Sequence, residues 1–259
     1  MVNQEYYNLG TAPSVIRQLF AYGLEQVAKV GPEKVYDYSL GNPSIPAPKK
    51  VNESIKKIVD ETDSIKLHGY SMAAGFDTAR DAVAKDLSNR FGLDVKGSEL
   101  FFTCGAAPAL VSIIKALTVN SDSEIMVVAP FFPEYRPFIT ANGAKMVMVP
   151  ADTEAFQIHL DEVEKRITAN TQGIIINSPN NPSGVVYTEE TLKGLAALLE
   201  RKSAEYGHPI YIIADEPYRE LVYGGVKVPF IPCLYKNTIV CYSYSKSLSL
   251  PGERIGYVY

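Results

Sequence analysis

Near its C-terminal end the chain reads Ser243-Tyr244-Ser245-Lys246-Ser247-Leu248-Ser249-Leu250-Pro251-Gly252-Glu253-Arg254. Small hydroxyls and an arginine fork are the side chains that hold a phosphate. A lysine set beside a phosphate can hold a phosphorylated aldehyde as a Schiff base. Alone, a lysine in a serine-rich stretch is more often a solvated loop residue. The chemistry therefore depends on whether other segments supply the remaining contacts.

Four such segments lie upstream. Gly105-Ala106-Ala107 is a small-residue turn feeding a helix, which leaves free N–H groups at the positive end of the helix dipole; the bland reading is a tight strand–helix turn. Phe132, in Pro130-Phe131-Phe132-Pro133-Glu134-Tyr135, could be a core aromatic or a stacking face for a ring. Asn177-Ser178-Pro179-Asn180-Asn181-Pro182-Ser183-Gly184 reads either as a Pro/Asn turn or as a loop carrying amide donors. Asp215, in Ala214-Asp215-Glu216-Pro217-Tyr218, is a carboxylate at a buried strand end. Such a group is costly unless paired, and a protonated pyridine nitrogen is a suitable partner. The alternative is a helix cap, with Pro217 starting a helix that brings Tyr218 round beside Asp215.

These segments need a frame. Short apolar runs at Leu100–Phe102, Ile125–Val128, Met146–Val149, Gly173–Asn177, Ile210–Ala214 and Thr238–Tyr242 predict buried strands. Helical patterns at Ala107–Leu117, Leu160–Ile167 and Thr188–Tyr206 separate most of them. The alternation predicts an α/β fold with a mainly parallel sheet covered on both faces, whose ligands bind beyond the carboxyl ends of the strands. Every segment named above follows a predicted strand. Earlier in the chain, Ser14–Val30, Lys49–Asp60 and Thr78–Phe91 read as helices, the last capped by Asp77 or Thr78. The proline-punctuated stretch Ser39–Pro48 reads as an extended boundary segment.

Composition narrows the class. The 259 residues carry a net charge of −4, which argues against a nucleic-acid or membrane-surface partner. No run approaches the roughly 20 apolar residues of a membrane span, and the polar start lacks the apolar core of a signal peptide. Three scattered cysteines, Cys104, Cys233 and Cys241, point to a reducing, cytoplasmic compartment with the thiols as buried packing. His68, His159 and His208 lack metal-ligand spacing. Neither Gly-x-Gly-x-x-Gly nor Gly-x-x-x-x-Gly-Lys-Ser/Thr occurs, so a nucleotide-binding fold has no fingerprint.

Taken together and in order, these segments resemble the class I/II, fold-type I aminotransferases that use pyridoxal 5'-phosphate. The match covers the Ser-x-Ser-Lys segment, Asn181-Pro182-Ser183-Gly184, the Pro-x-aromatic-x-x-Tyr pattern, Asp215-x-x-Tyr218, and Gly69-Tyr70-Ser71-Met72-Ala73-Ala74-Gly75 followed by Arg80. The resemblance implies a seven-stranded sheet whose antiparallel member starts at Ile255, with residues 1–48 as an arm and part of a small domain and 49–259 as the cofactor domain. It implies that Lys246 holds the cofactor as an internal Schiff base and, once freed, moves a proton from the substrate α-carbon. Asp215 would hold the pyridine nitrogen, Asn181 and Tyr218 the phenolic oxygen, and Phe132 a ring face. Ser243, Ser245, Arg254 and the Gly105–Ala107 turn would hold the phosphate. Gly41 and Asn181 would border the substrate, and Tyr70 would reach the neighbouring site of a homodimer. The implied reaction moves an amino group between an L-amino acid and a 2-oxo acid.

Two departures stand out. Ala79 precedes Arg80 where the family pattern has leucine, and the sequence stops at Tyr259, before the family's small domain and carboxylate-binding arginine are complete. The expectation is a truncated chain that no longer transaminates. The rivals are a carbon–sulfur lyase or decarboxylase on the same fold, and a non-catalytic cofactor-binding fragment.

Overall fold

Valine and isoleucine fill most of the runs that pair, because β-branched side chains pack both faces of a pleated surface. In the computed structural model, which describes residues 1–11 and 15–259, the strands are β1 (Phe101–Thr103), β2 (Glu124–Val128), β3 (Lys145–Val149), β4 (Thr171–Asn177), β5 (Tyr211–Asp215), β6 (Thr238–Ser243) and β7 (Gly256–Val258). They form one seven-stranded sheet in the order β1-β7-β6-β5-β4-β2-β3. The pairs among β2 to β6 are parallel, and β7 runs antiparallel to both β1 and β6. The expected architecture is met, with β7 starting one residue after Ile255.

The helices are α1 (Gln4–Thr11), α2 (Val15–Val30), α3 (Lys49–Glu61), α4 (Ser64–His68), α5 (Asp77–Phe91), α6 (Ala106–Leu117), α7 (Tyr135–Ala141), α8 (Leu160–Glu164), α9 (Glu189–Tyr206) and α10 (Tyr244–Ser247). Strand periodicity divides the core in two. Met126, Ile174, Ile176, Ile212, Ala214 and Val240 pack with Leu87 of α5 and Leu192, Leu195 and Leu199 of α9. Ile125, Val127, Ile175, Ile213 and Cys241 face the other way, toward Leu110 and Ile114 of α6 and Tyr135 and Ile139 of α7. Helices thus cover both faces.

The described residues divide into two units, Met1–Ile45 and Pro46–Tyr259, and the division falls inside the proline-punctuated stretch. In the first unit α2 leaves Val15, Leu19 and Leu24 exposed; Ser14, the expected start of that helix, lies outside the described residues. Among the described residues no helix is long and apolar enough to cross a membrane.

Four local expectations need correction. The N-cap of α5 is Phe76, without a side-chain cap; the helix starts early enough to place Asp77 inside its first turn, where it pairs with Arg80. Residues 165–167 leave the helical pattern because α8 tightens at its end, with the Arg166 N–H bonding to the carbonyl of Val163. Pro217 starts a turn instead of a helix, with the Leu221 N–H donating to the Tyr218 carbonyl at 2.8 Å. Cys241 is buried, but Cys104 and Cys233 are exposed, since each lies in a connection outside the sheet.

Candidate active site

The carboxyl ends of the parallel strands meet in one cleft of the second unit, with a free volume of ≈ 200 Å³. Ala106, Ala107, Phe132, Asn181, Asp215, Tyr218, Ser243, Ser245, Lys246 and Arg254 all line it, joined by Leu110, Asn177 and Pro217. Ten of the residues singled out from sequence, nine of them at the ends of five strands and Arg254 just before β7, therefore line one cleft. Gly105, the N-cap of α6, is not among the lining residues. Tyr70 is fully exposed after α4 and does not line the cleft; Gly41 belongs to the first unit.

One end of the cleft is built for an anion. Gly105 caps α6 at φ 97°, a left-handed conformation that favours glycine. A β-carbon there would also collide with the guanidinium of Arg254. Ala106 and Ala107, in the first turn of α6 where backbone N–H groups lack intrahelical partners, line the same cleft. The hydroxyls of Ser243 and Ser245 stand 2.8 Å apart, and Arg254 donates to Ser245 Oγ at 3.2 Å. Because β7 runs against its neighbours, Arg254, just before it, arrives at the same edge where β6 ends.

The floor is built around a carboxyl. Asp215, at the end of β5, is buried, and Tyr135 on α7 donates its hydroxyl to Asp215 Oδ2 at 2.5 Å. The other oxygen, Oδ1, is buried without a hydrogen-bond partner among the described residues. Burial pushes the Asp215 pKa up to about 7, with the Tyr135 hydrogen bond opposing the rise. Burial and the neighbouring Asp215 charge hold the Tyr135 phenol well above its ordinary range, so it stays a donor.

Asn177 ties two walls together. Its amide donates to the Asp215 carbonyl at 2.8 Å and accepts the Asn181 N–H at 2.6 Å. Asn181 Nδ2 in turn donates to the Tyr218 hydroxyl at 3.3 Å. Two polar groups from β4 and β5 thereby converge on one spot beside the floor. Lys246, on α10, closes the cleft, and partial burial lowers its pKa.

Sequence reading assigned no role to Asn177 or Tyr135. A signal for Asn177 existed: an amide ending the Ile-Ile-Ile run of β4 must find partners once buried. Tyr135 sits three residues after Phe132, across a turn closed by its N–H bonding to the Phe132 carbonyl, and its ring meets Phe132 edge-on at 5.7 Å.

These residues fit pyridoxal 5'-phosphate. The partnerless Asp215 Oδ1 suits a ring N–H, the hydroxyl–arginine–helix end suits the phosphate, and Asn181 with Tyr218 suits a phenolic oxygen. Among the described residues no cluster of His, Cys, Asp and Glu could hold a metal ion.

The family profile described as "Aminotransferase class I and II" matches residues 33–259, and the chain belongs to that family. It is 32% identical over 229 residues to a probable N-acetyl-LL-diaminopimelate aminotransferase of Bacillus subtilis, covering 88% of this chain and 55% of that protein. It is 32% identical over 247 residues to a probable aspartate aminotransferase of Methanocaldococcus jannaschii, covering 95% of this chain and 60% of that protein. A crystal structure of an aminotransferase from Eubacterium rectale superposes with a TM-score of 0.97 at 57% identity, covering all of this chain and 65% of that one. The chain thus spans a little over half the length of the curated relatives it matches.

Proposed function

We propose that this chain carries the cofactor site of a pyridoxal-phosphate-dependent aminotransferase, which moves an amino group between an L-amino acid and a 2-oxo acid. The observation that carries the reading is Asp215 Oδ1, a buried carboxyl oxygen without a partner in the same cleft as Lys246. A buried anionic oxygen is costly unless a donor meets it, and a protonated ring N–H is a donor that would meet it.

When bound, the cofactor supplies an aldehyde for an amine and a ring that accepts the electrons left by α-proton removal. Lys246 Nζ is the attachment amine, and the lowered pKa raises its neutral, nucleophilic fraction. As a free amine in the same cleft, Nζ would be the group that takes and returns a proton at the substrate α-carbon. Asp215 would hold the ring nitrogen in its protonated form, with Tyr135 fixing the carboxyl through Oδ2 and leaving Oδ1 as the acceptor. Asn181 and Tyr218 hold the phenolic oxygen. Ser243, Ser245, Arg254 and the α6 N-terminus anchor the phosphate, and Phe132 supplies a stacking face.

Residues 1–48 are proposed as an arm with part of a small domain, and 49–259 as the cofactor domain. Gly41 is proposed to border the substrate and Tyr70 to reach the neighbouring site of a homodimer in the cytoplasm. The relatives' names cover different amino acids, aspartate, diaminopimelate and aromatic ones, so the reading extends to the reaction and leaves the side chain of the substrate open.

The test is reductive trapping. Pyridoxal 5'-phosphate with borohydride, followed by peptide mapping, should modify Lys246 and no other lysine in stoichiometric yield. Modification centred elsewhere would sink the assignment. Addition of an L-amino acid before borohydride should then protect Lys246.

A further inference from the structure

Lys246 sits on α10, a single turn of four residues (Tyr244–Ser247). So short a helix is not held by its own hydrogen bonds. On the inner side Ser243 caps it, accepting from the Ser245 N–H. On the outer side a second line of contacts begins at Ser247, the residue after the lysine. The Tyr242 hydroxyl lies 2.8 Å from Ser247 Oγ and 2.8 Å from Glu220 Oε2. Arg90 of α5 donates to Glu220 Oε1 at 3.0 Å.

Proton bookkeeping fixes the direction of this line. A carboxylate only accepts, so the one phenol proton of Tyr242 goes to Glu220, and the Ser247 hydroxyl donates to the phenol oxygen. Each bond polarises the next in the same sense. The Tyr242 ring is also clamped. It stacks on Tyr257 at 5.0 Å and meets Tyr244 edge-on at 5.1 Å. The guanidinium of Arg219 lies 4.8 Å from its centroid. Arg219 is itself in a buried ion pair with Glu216, the residue after Asp215. Tyr242 therefore bonds Ser247, the residue after Lys246, through its hydroxyl, and its ring meets Arg219, the ion-pair partner of the residue after Asp215.

We propose that Ser247, Tyr242 and Glu220 form a hydrogen-bonded strut, anchored on α5 by Arg90, that positions the Lys246 turn. None of the four lines the cleft, so they are positioning residues. The inference rests on the reading of Lys246 as the attachment residue for its consequence, and on geometry alone for the strut.

Three variants separate the cases. Y242F keeps the ring stack and removes both bonds; S247A removes the last bond only; E220Q keeps an acceptor for the phenol and loses the charge that faces Arg90. Hydrogen exchange is measured on peptides spanning Tyr244–Leu250 and on peptides spanning β5, without added cofactor. Trapping of pyridoxal 5'-phosphate on Lys246 by borohydride is timed in parallel. Y242F and S247A should speed exchange at Tyr244–Leu250 roughly five- to tenfold, the loss of about one net hydrogen bond, with β5 unchanged. Both should also slow trapping, and E220Q should lie nearer wild type on both readouts. Wild-type exchange at Tyr244–Leu250 in Y242F and S247A would overturn the strut, as would an acceleration shared equally by β5. If Y242F fails to fold, S247A decides by the same criteria. A wild-type protein that takes no label on Lys246 would refute the proposed function, while exchange would still judge the strut.

Discussion

Replacing Asp215 by Asn should stabilise the cofactor-free protein above neutral pH and, in the same stroke, weaken its hold on the cofactor. Asp215 is buried with Oδ1 unpartnered, and burial raises its pKa from 3.8 to about 7. Between those two values the folded state holds the proton more tightly than the unfolded chain does. Stability therefore falls as pH rises through this window, with no cost below it and the full cost above it. A rise of this size corresponds to roughly 4 kcal/mol at most. Asparagine carries no charge, so it escapes that cost, but it accepts from Tyr135 less strongly and buries an amide N–H₂ where Oδ1 stood. Those losses come to about 2 kcal/mol. The net gain should be about 2 kcal/mol near pH 8.5 and close to zero near pH 5.

Urea denaturation of both proteins across that pH range gives the answer as a difference curve, in which every other titrating group cancels to first order. A difference independent of pH, or an Asn variant less stable throughout, would refute the reasoning. Added pyridoxal 5'-phosphate should reverse the order, because a ligand stabilises only the form that binds it.

Removing the Tyr135 hydroxyl (Tyr135→Phe) deletes the bond that opposes the rise in the Asp215 pKa, so the window of stability loss should move to higher pH in the same denaturation series. Gly105→Ala forces a β-carbon into the Arg254 guanidinium at a positive φ; equilibrium dialysis should show pyridoxal 5'-phosphate affinity down at least about tenfold, with pyridoxal, which lacks the phosphate, barely affected. Leu195→Ala, at a fully buried position between α9 and the sheet, should lower the unfolding free energy by about 2–5 kcal/mol without moving the reductive label from Lys246.

The frame was legible because continuous apolar runs leave strands little alternative, and their ends carried the chemistry. What sequence spacing does not carry is contact across the fold. Tyr135 meets Asp215 over 80 positions, and Asn177 meets it over 38, so each partner becomes visible only when the strands are side by side. The turn at Pro217 shows a different limit. A proline that suits a helix start also suits a turn, and here the segment closes as turns, with the Arg219 N–H bonding to the Glu216 carbonyl and the Leu221 N–H to that of Tyr218. Gly41 and Tyr70 were singled out through resemblance alone; no property of glycine or tyrosine at those spacings marks them.

Asp215 and Glu216 are consecutive buried acids, and the sheet sends them to opposite faces. Glu216 meets Arg219, which is packed among Phe91, Phe230 and Tyr242. Among the described residues the Asp215 carboxyl meets only the Tyr135 hydroxyl, on the face covered by α6 and α7. The fold thus gives one carboxylate a full counter-charge and the other a single neutral donor. Packing cannot explain the difference, since the same turn supplies an arginine to one of the two. A neutral donor holds a carboxyl in place without neutralising it, which leaves the remaining oxygen able to bind a cationic N–H strongly in a site of low dielectric. An arginine at Tyr135 would remove the cost and the function together: Tyr135→Arg would pair Asp215 internally and leave no unmet acceptor at the cleft floor. The instability at Asp215 is therefore best understood as the part of the binding site that folding alone leaves unsatisfied.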